Sequence, residues 1–184
     1  MLPPGASPVE GREALKKLRR LRSKDESGVA ALEMALVLPA LITLLAGIVD
    51  FGLVFNNFMA IRQGIGAGVR QGVVAQAGSS SSCPLAGVSG APTATKELMC
   101  LTKGMIGLDS ATTRTKVYFP GVKTKGGSLV LCAQSPLDST TGLFEPVLDG
   151  ILKAKVEMRI EQDLSAFGSA SETSLPGGDW TWCQ

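Results

Sequence analysis

The sequence predicts an α+β protein in which a long N-terminal transmembrane helix extends into a small external domain, where a short helix packs on a small antiparallel β-sheet. The first observation is an apolar run over residues 29–55, which carries no charge between Glu33 and Asp50. The second is that all four cysteines follow this run. The third is the strict alternation of apolar and polar residues over 152–161, which is typical of a strand with one buried face.

The predicted cytoplasmic leader, residues 1–28, carries the basic charge of the chain. Seven of the 18 Lys and Arg residues and four of the 16 acids precede Gly28, which gives this segment a net charge of +3. The remaining 11 bases and 12 acids give the rest of the chain a net charge of −1. Because the body is not basic, nucleic acid is not an expected partner.

The predicted transmembrane helix covers residues 29–55, about 40 Å at ~1.5 Å per residue, which is long enough to cross a lipid bilayer. The basic leader precedes it, whereas the next twenty or so residues contain only Arg62 and Arg70. By the positive-inside rule, the N-terminus lies in the cytoplasm. An ordinary cleaved signal peptide is disfavoured because the apolar core is too long and no A-x-A-like site closes it.

Within this run, Pro39 removes the hydrogen bond that its amide would donate to the carbonyl of Ala35, so we expect a bend or local loosening there. Residues 56–77 contain no proline and are expected to continue the helix outside the membrane. An apolar stripe with a spacing of four supports this helix. It consists of Ile61, Ile65, Val69 and Val73.

A second stripe of Gly64, Gly68 and Gly72 has the same spacing. Small residues at this spacing let a neighbouring helix approach closely, which favours packing between subunits. The alternative is a flexible glycine-rich exit from the membrane, since each glycine costs a helix interior about 1 kcal/mol relative to alanine. The sequence leaves both interpretations open.

The external domain, residues 78–184, begins with a predicted serine-rich hinge over 78–82. The pattern of apolar residues predicts a helix over 95–108, a hairpin formed by strands at 117–119 and 129–133, and a strand over 152–161. A last short strand is predicted at Trp180 and Trp182, which flank Thr181. Together these elements predict a helix packed on a small antiparallel sheet.

The four cysteines are candidates for disulfide bonds in an oxidising compartment. Cys83, Cys100, Cys132 and Cys183 are even in number and include no C-x-x-C pair, which favours disulfides over a zinc site. Four cysteines allow three connectivities, and the sequence does not choose among them. Pairs Cys83–Cys100 and Cys132–Cys183 would fasten the two loosest parts of the domain. No metal is expected.

Histidine is absent, which removes the usual general base and the commonest metal ligand. We therefore expect no catalytic residues, no cofactor and no enzymatic activity. A membrane-tethered hydrolase that uses serine or a carboxylate is the remaining enzymatic alternative, and only scattered acids support it.

Glu33 lies at the edge of the apolar run, where an ionisable group is costly. Such groups cost roughly 2.5–3.5 kcal/mol near the centre of a membrane helix, so this carboxylate needs a partner or a task. The alternative is a structural side chain that reaches the membrane interface.

Residues 27–52 resemble the TadE-like pseudopilins, minor pilins of the tight-adherence (Tad), or type IVc, pilus. The resemblance depends on the run from Gly28 to Glu33 (GVAALE), on Pro39 after a leucine, and on residues 47–52 (GIVDFG). It implies that a prepilin peptidase cuts between Gly28 and Val29, so that Glu33 becomes the fifth residue of the mature chain. It also implies that the new amine meets the glutamate of a neighbouring subunit.

The resemblance further implies other major and minor pilins and the inner-membrane assembly platform as partners. The protein would lie in the bacterial inner membrane with a periplasmic C-terminal domain, and then in the pilus at the cell surface, where it serves adhesion. Val29 replaces the usual Phe, and the 28-residue leader is long. An external domain of 107 residues implies a minor subunit. The alternative is an uncleaved, single-pass anchored binding protein of the periplasm.

Overall fold

The structure is a computed structural model that describes residues 8–76, 83–137, 139–148 and 150–184, with only the backbone described for 8–27. The chain divides into two compact units, one up to Gly47 and the other Ile48–Gln184. The predicted hinge over 78–82 lies outside the described residues, as do the side chains of the leader up to residue 27.

The first helix, α1, runs over Pro8–Val73. Its portion Gly28–Val73 contains an 18-residue window of mean hydropathy 2.3, none of it buried, so it is long and apolar enough to cross a membrane. The helix ends before residue 77 because Ala75 adopts a left-handed conformation with φ of 55°. The amide of Gln76 then donates to the carbonyl of Gln71 at 3.0 Å, a bond typical of a helix C-terminus.

The remaining elements form the predicted α+β domain, so the fold class is confirmed. Helix α2 covers Thr93–Ile106, and Gly107, which has a φ of 69°, caps its C-terminus. The strands are β1 (Arg114–Tyr118), β2 (Ser128–Leu137), β3 (Gly150–Arg159) and β4 (Ala170–Ser171), and α3 (Glu145–Leu148) precedes β3. They form one antiparallel sheet of order β3-β2-β1-β4.

One face of this sheet packs with α2 and the C-terminal part of α1 to form the main core. The predicted apolar stripe of α1 lies entirely in it: Ile61, Ile65, Val69 and Val73 are all buried. Burial alternates along β3, with Leu152 and Ala154 facing inward as predicted. The strand ends at residue 159 rather than 161 because the amides of Glu161 and Gln162 both donate to the carbonyl of Val73.

The opposite face carries a smaller apolar cluster covered by the C-terminal segment. The predicted strand over residues 180–182 is wrong, because this segment forms a turn. Asp179 explains the turn: its carbonyl accepts a hydrogen bond from Trp182 Nε1 at 2.8 Å, and its carboxylate accepts one from Thr181 Oγ1 at 2.9 Å. The strand that pairs with the free edge of β1 is β4.

Both disulfide bonds connect irregular segments to regular elements. Cys83 pairs with Cys100 on α2, and Cys183 pairs with Cys132 on β2. These bonds account for all four cysteines of the chain. In the loop-entropy model, loops of these lengths contribute roughly 3 and 4 kcal/mol to stability by restricting the unfolded chain.

Candidate functional site

Residues 28–33 form continuous helix, with Gly28, Val29 and Glu33 all exposed. The large apolar side chains that follow Glu33 in the first unit are exposed as well. Such a surface is unstable in water and has to be covered by lipid or by other helices. Its large exposed members after Val29 are Leu32, Met34, Leu36, Val37, Leu38, Leu41, Ile42, Leu44 and Leu45.

Pro39 lies within α1, which is assigned as helix on both sides of it. One turn later, Thr43 Oγ1 donates a hydrogen bond to the carbonyl of Pro39 at 2.8 Å. A threonine that bonds to the carbonyl four residues earlier often bends a helix, and proline itself leaves the carbonyl of Ala35 without its usual donor. The local loosening expected at Pro39 stays a prediction, and the hydrogen bond of Thr43 lies in the adjacent turn.

Asp50 is a buried charged residue of α1, and its carboxylate is enclosed by hydrogen bonds. Its side chain is 1% exposed and accepts four hydrogen bonds from the segment 139–141. Ser139 Oγ and Thr141 Oγ1 donate to Oδ2 at 2.6 Å each, and the amides of Thr140 and Thr141 donate to Oδ1 at 3.1 and 3.0 Å. Asp50 therefore fastens this loop to α1.

The same loop makes an aromatic contact with the residue after Asp50. The rings of Phe51 and Phe144 lie 5.8 Å apart between centroids and are tilted by 57°, a favourable arrangement for two aromatic rings. In the sequence, Asp50 marks only the end of the uncharged run and part of the resemblance. Ser139, Thr140 and Thr141 lie about 90 residues later and carry no local signal that points to it.

The glycine stripe lies against the rest of the external domain within the same chain. A Cβ added to Gly64 would lie 2.5 Å from the Cα of Ile106, and one added to Gly68 would lie 2.3 Å from Thr102 Oγ1. A Cβ added to Gly72 would lie 2.7 Å from Leu129 Cδ2 and 3.0 Å from Leu98 Cδ2. The close approach of a helix is present, and that helix is α2. A role between subunits stays a prediction, and the burial of these glycines does not favour it.

Gly64 and Gly66 provide a direct test of this packing. We expect Gly64→Ala to lower the free energy of unfolding by about 1–3 kcal/mol, because the new methyl group overlaps the backbone of α2. The matched variant Gly66→Ala meets nothing within 4 Å and should raise stability by about 0.5–1 kcal/mol. Urea unfolding of the full chain in micelles, followed by tryptophan fluorescence, measures both. Equal effects would contradict the packing.

A buried ion pair that sequence reasoning missed joins four segments of the external domain. Lys103 Nζ lies 2.7 Å from Glu172 Oε1, with both side chains at most 1% exposed. Lys103 also donates to the carbonyls of Pro84 and Ser110 at 2.9 and 3.0 Å. All three ammonium protons therefore have acceptors. No periodicity in the sequence marks these residues as partners.

Within the described ranges, no group of three or more Asp, Glu, His or Cys side chains is placed to hold a metal ion. The candidate site is the N-terminal helical segment because it combines an exposed glycine at position 28, an exposed carboxylate, a proline and a largely apolar surface.

The comparisons with known proteins agree with this location. No match is found among curated proteins or among solved structures. Residues 28–70 match the family model described as TadE-like protein. The match begins at Gly28 and includes Glu33, Pro39, Asp50 and the first two glycines of the stripe. The resemblance is therefore confirmed over these residues, and the chain carries a TadE-like N-terminal helical segment.

Proposed function

We propose that this protein is a minor pilin of a Tad (type IVc) pilus, cut by a prepilin peptidase between Gly28 and Val29. The observation that carries the proposal is the start of the TadE-like match at Gly28, the residue where the predicted leader ends. The charge of the chain also changes at this residue, from a net +3 before it to −1 after it. The family is one of pilus proteins, and a pilus subunit needs no catalytic centre.

Before cleavage, the basic leader keeps the N-terminus in the cytoplasm while the apolar helix crosses the inner membrane. Cleavage then creates a new α-amino group on Val29, with an ordinary pKa near ~7.7–8.0. Glu33 lies four residues later, one helical turn away on the same face. On our proposal, the amine of one subunit pairs with Glu33 of its neighbour, which aligns the subunits as they leave the bilayer.

The exposed apolar side chains of the helix support this assembly step. In the precursor they face lipid, and in the pilus they face the helices of other major and minor pilins. Because both surroundings are apolar, transfer from one to the other costs little hydrophobic free energy. The assembly platform of the inner membrane would carry out this transfer, and Pro39 would allow the helix to extend locally.

The second unit, Ile48–Gln184, is called the external unit below, and it would form the surface that contacts partners or the substrate for adhesion. Two disulfide bonds and a buried ion pair hold it together, which suits a domain exposed outside the cell. Its size distinguishes it from the very short major Tad pilins.

Substitution at Gly28 tests the cleavage step. We expect Gly28→Leu to leave the full leader on the protein, because a bulky side chain beside the scissile bond obstructs the peptidase. Leucine fits the helix at this exposed position, where a Cβ meets nothing within 4 Å, so folding and insertion should be unchanged. The measurement is the N-terminal sequence and intact mass of protein isolated from cells with active peptidase.

Gly52→Leu is the matched control, since Gly52 is also exposed, helical and free of contacts within 4 Å. It should be cut normally and give a mature chain that begins at Val29. The wild-type protein should keep its leader in cells that lack the peptidase. If the leader persists on the wild-type protein in cells with active peptidase, the chain is an uncut anchored protein and the pilin proposal fails.

A further inference from the structure

We propose that the segment 139–148 rests on the outer surface of the bilayer, with Leu143 and Val147 in contact with lipid. Hereafter this segment is called the Asp50 loop. The inference rests on the membrane anchoring in the proposed function, and it adds a second lipid contact made by the external unit. The partner is the same bilayer that holds the apolar helix.

The first step is the position of the loop relative to α1, which is fixed by contacts with Asp50 and Phe51. Four hydrogen bonds fasten residues 139–141 to Asp50, and the ring of Phe144 contacts Phe51. The loop therefore lies beside the start of the second unit, which begins at Ile48. Ile48 and Val49 are exposed and apolar, and they continue the apolar run of the sequence.

The second step is the length of helix available to the membrane. The predicted span of residues 29–55 would place Asp50 and its loop within hydrocarbon, where the polar backbone of an irregular segment is not tolerated. Ending the span before Asp50 leaves residues 29–49, which measure about 31 Å at ~1.5 Å per residue. This matches a hydrocarbon core of about 30 Å. The membrane surface then lies at Asp50.

The third step concerns the exposed side chains of the loop, which are mostly apolar or uncharged. Leu143 is 58% exposed and Val147 on α3 is 72% exposed, the highest value among large apolar residues of the external unit. The ten residues of the loop contain one ionisable side chain, Glu145. Apolar side chains beside a hydrated carboxylate suit the interfacial region, where apolar groups enter the acyl boundary and charges stay in the head-group layer.

Lipid is favoured over a protein partner because the loop is held by Asp50 and Phe51, which directly follow the exposed apolar residues Ile48 and Val49. A subunit that waits in the inner membrane before assembly would hold Leu143 and Val147 against the bilayer.

Quenching by nitroxide-labelled lipids tests this contact in the full chain. The single variants Val147→Cys, Val122→Cys and Leu41→Cys each receive the same thiol-reactive dye, which is selective because both disulfides leave no native thiol. Val122 is the matched control: it is 66% exposed and lies in the connection between β1 and β2, at the end of the sheet opposite to the start of β3, which follows the Asp50 loop. Leu41 lies in the predicted span. Each protein is placed in nanodiscs at one copy per disc.

We expect lipids with a nitroxide near the head group to quench the dye at position 147 and to leave the dye at position 122 bright. A nitroxide deep in the acyl chain should quench the dye at position 41. Equal fluorescence at 147 and 122 would overturn the lipid contact. Quenching at 147 that requires two copies per disc would also overturn it and would point to contact between subunits. Absence of quenching at 41 would instead overturn the anchoring itself.

Discussion

Replacement of Glu172 by glutamine is expected to lower the free energy of unfolding of the external unit by about 3–5 kcal/mol, the usual effect of removing one member of a buried ion pair. Folded domains have only about 5–15 kcal/mol of stability, so replacing one carboxylate oxygen of Glu172 by an NH₂ group would remove a large share of the free energy of unfolding.

The reason is that Glu172 serves only as an acceptor. Its Oε1 accepts hydrogen bonds from Lys103 Nζ at 2.7 Å and from the amide of Ala86 at 3.0 Å. Its Oε2 accepts from the amide and hydroxyl of Thr115 at 2.7 and 2.9 Å. A glutamine amide group has to point its NH₂ at one of these donors in either orientation. In either orientation the buried ammonium of Lys103 loses its counter-charge, and the new NH₂ group faces a backbone N–H donor, that of Ala86 or that of Thr115.

Glu157→Gln is the control for this prediction. Glu157 is an exposed residue of β3, so the same substitution there should change stability by no more than about 0.5 kcal/mol. Urea unfolding can be followed through Trp180 and Trp182, the only tryptophans of the chain, since Trp180 Nε1 donates to the carbonyl of Glu172 at 2.9 Å. Equal unfolding midpoints for the two variants would contradict the role of the pair.

A double-mutant cycle separates the ion pair from its surroundings. Lys103→Met alone should destabilise strongly, because Glu172 is then a buried carboxylate without its cation. The double variant Lys103→Met, Glu172→Gln should lose less than the sum of the single variants, since neither charge remains buried alone. Additive losses would mean that each residue acts through its hydrogen bonds to the backbone and that the ion pair contributes little.

The sequence was sufficient for the parts of the fold that have a strong local signal. Alternation marked β3, a spacing of four marked the buried stripe of α1 from Ile61 to Val73, and apolar spacing marked α2 within two residues at each end. Each of these signals arises because one face of a single element is buried, so neighbouring residues carry the information.

The contacts that sequence reasoning missed join residues far apart in the chain. Lys103 and Glu172 are 69 residues apart, and Asp50 is 89 residues from Ser139. Each of these side chains has an ordinary local environment in the sequence, so nothing distinguishes a buried partner from a solvated surface charge. The turn at residues 180–182 was missed for a related reason, because hydrogen bonds to Asp179 overrode the strand preference of alternating tryptophans.

The glycine stripe illustrates an intermediate case. Its spacing predicts that a neighbouring helix can approach closely, but spacing does not identify which helix approaches. The structure places Ile106 and Thr102 of α2 against Gly64 and Gly68. Under the proposed function, the surface for other subunits is then formed by the exposed apolar residues nearer the N-terminus, which include those around Glu33.

The Glu33→Gln variant is expected to be cut and inserted normally but to reach pili at a level at least about tenfold below that of the wild type. Glutamine keeps the size and most of the polarity of glutamate and removes its charge. Since the proposed partner is the amine created on Val29 of a neighbouring subunit, removal of the charge weakens only the assembled state. A tenfold loss corresponds to about 1.4 kcal/mol, a modest value for a charge pair in apolar surroundings.

The measurement compares the amount of this protein in sheared pili with the amount in the membrane, together with the N-terminal sequence of both fractions. Glu161→Gln is the matched control, because Glu161 is an exposed carboxylate of the external unit and its loss should not alter incorporation. Normal incorporation of a correctly cut Glu33→Gln protein would assign Glu33 to the membrane interface. Failure of cleavage in that variant would mean that Glu33 acts earlier, in recognition by the peptidase. The expected pattern, a mature chain that accumulates in the membrane, arises only if Glu33 acts after Val29 becomes the N-terminus.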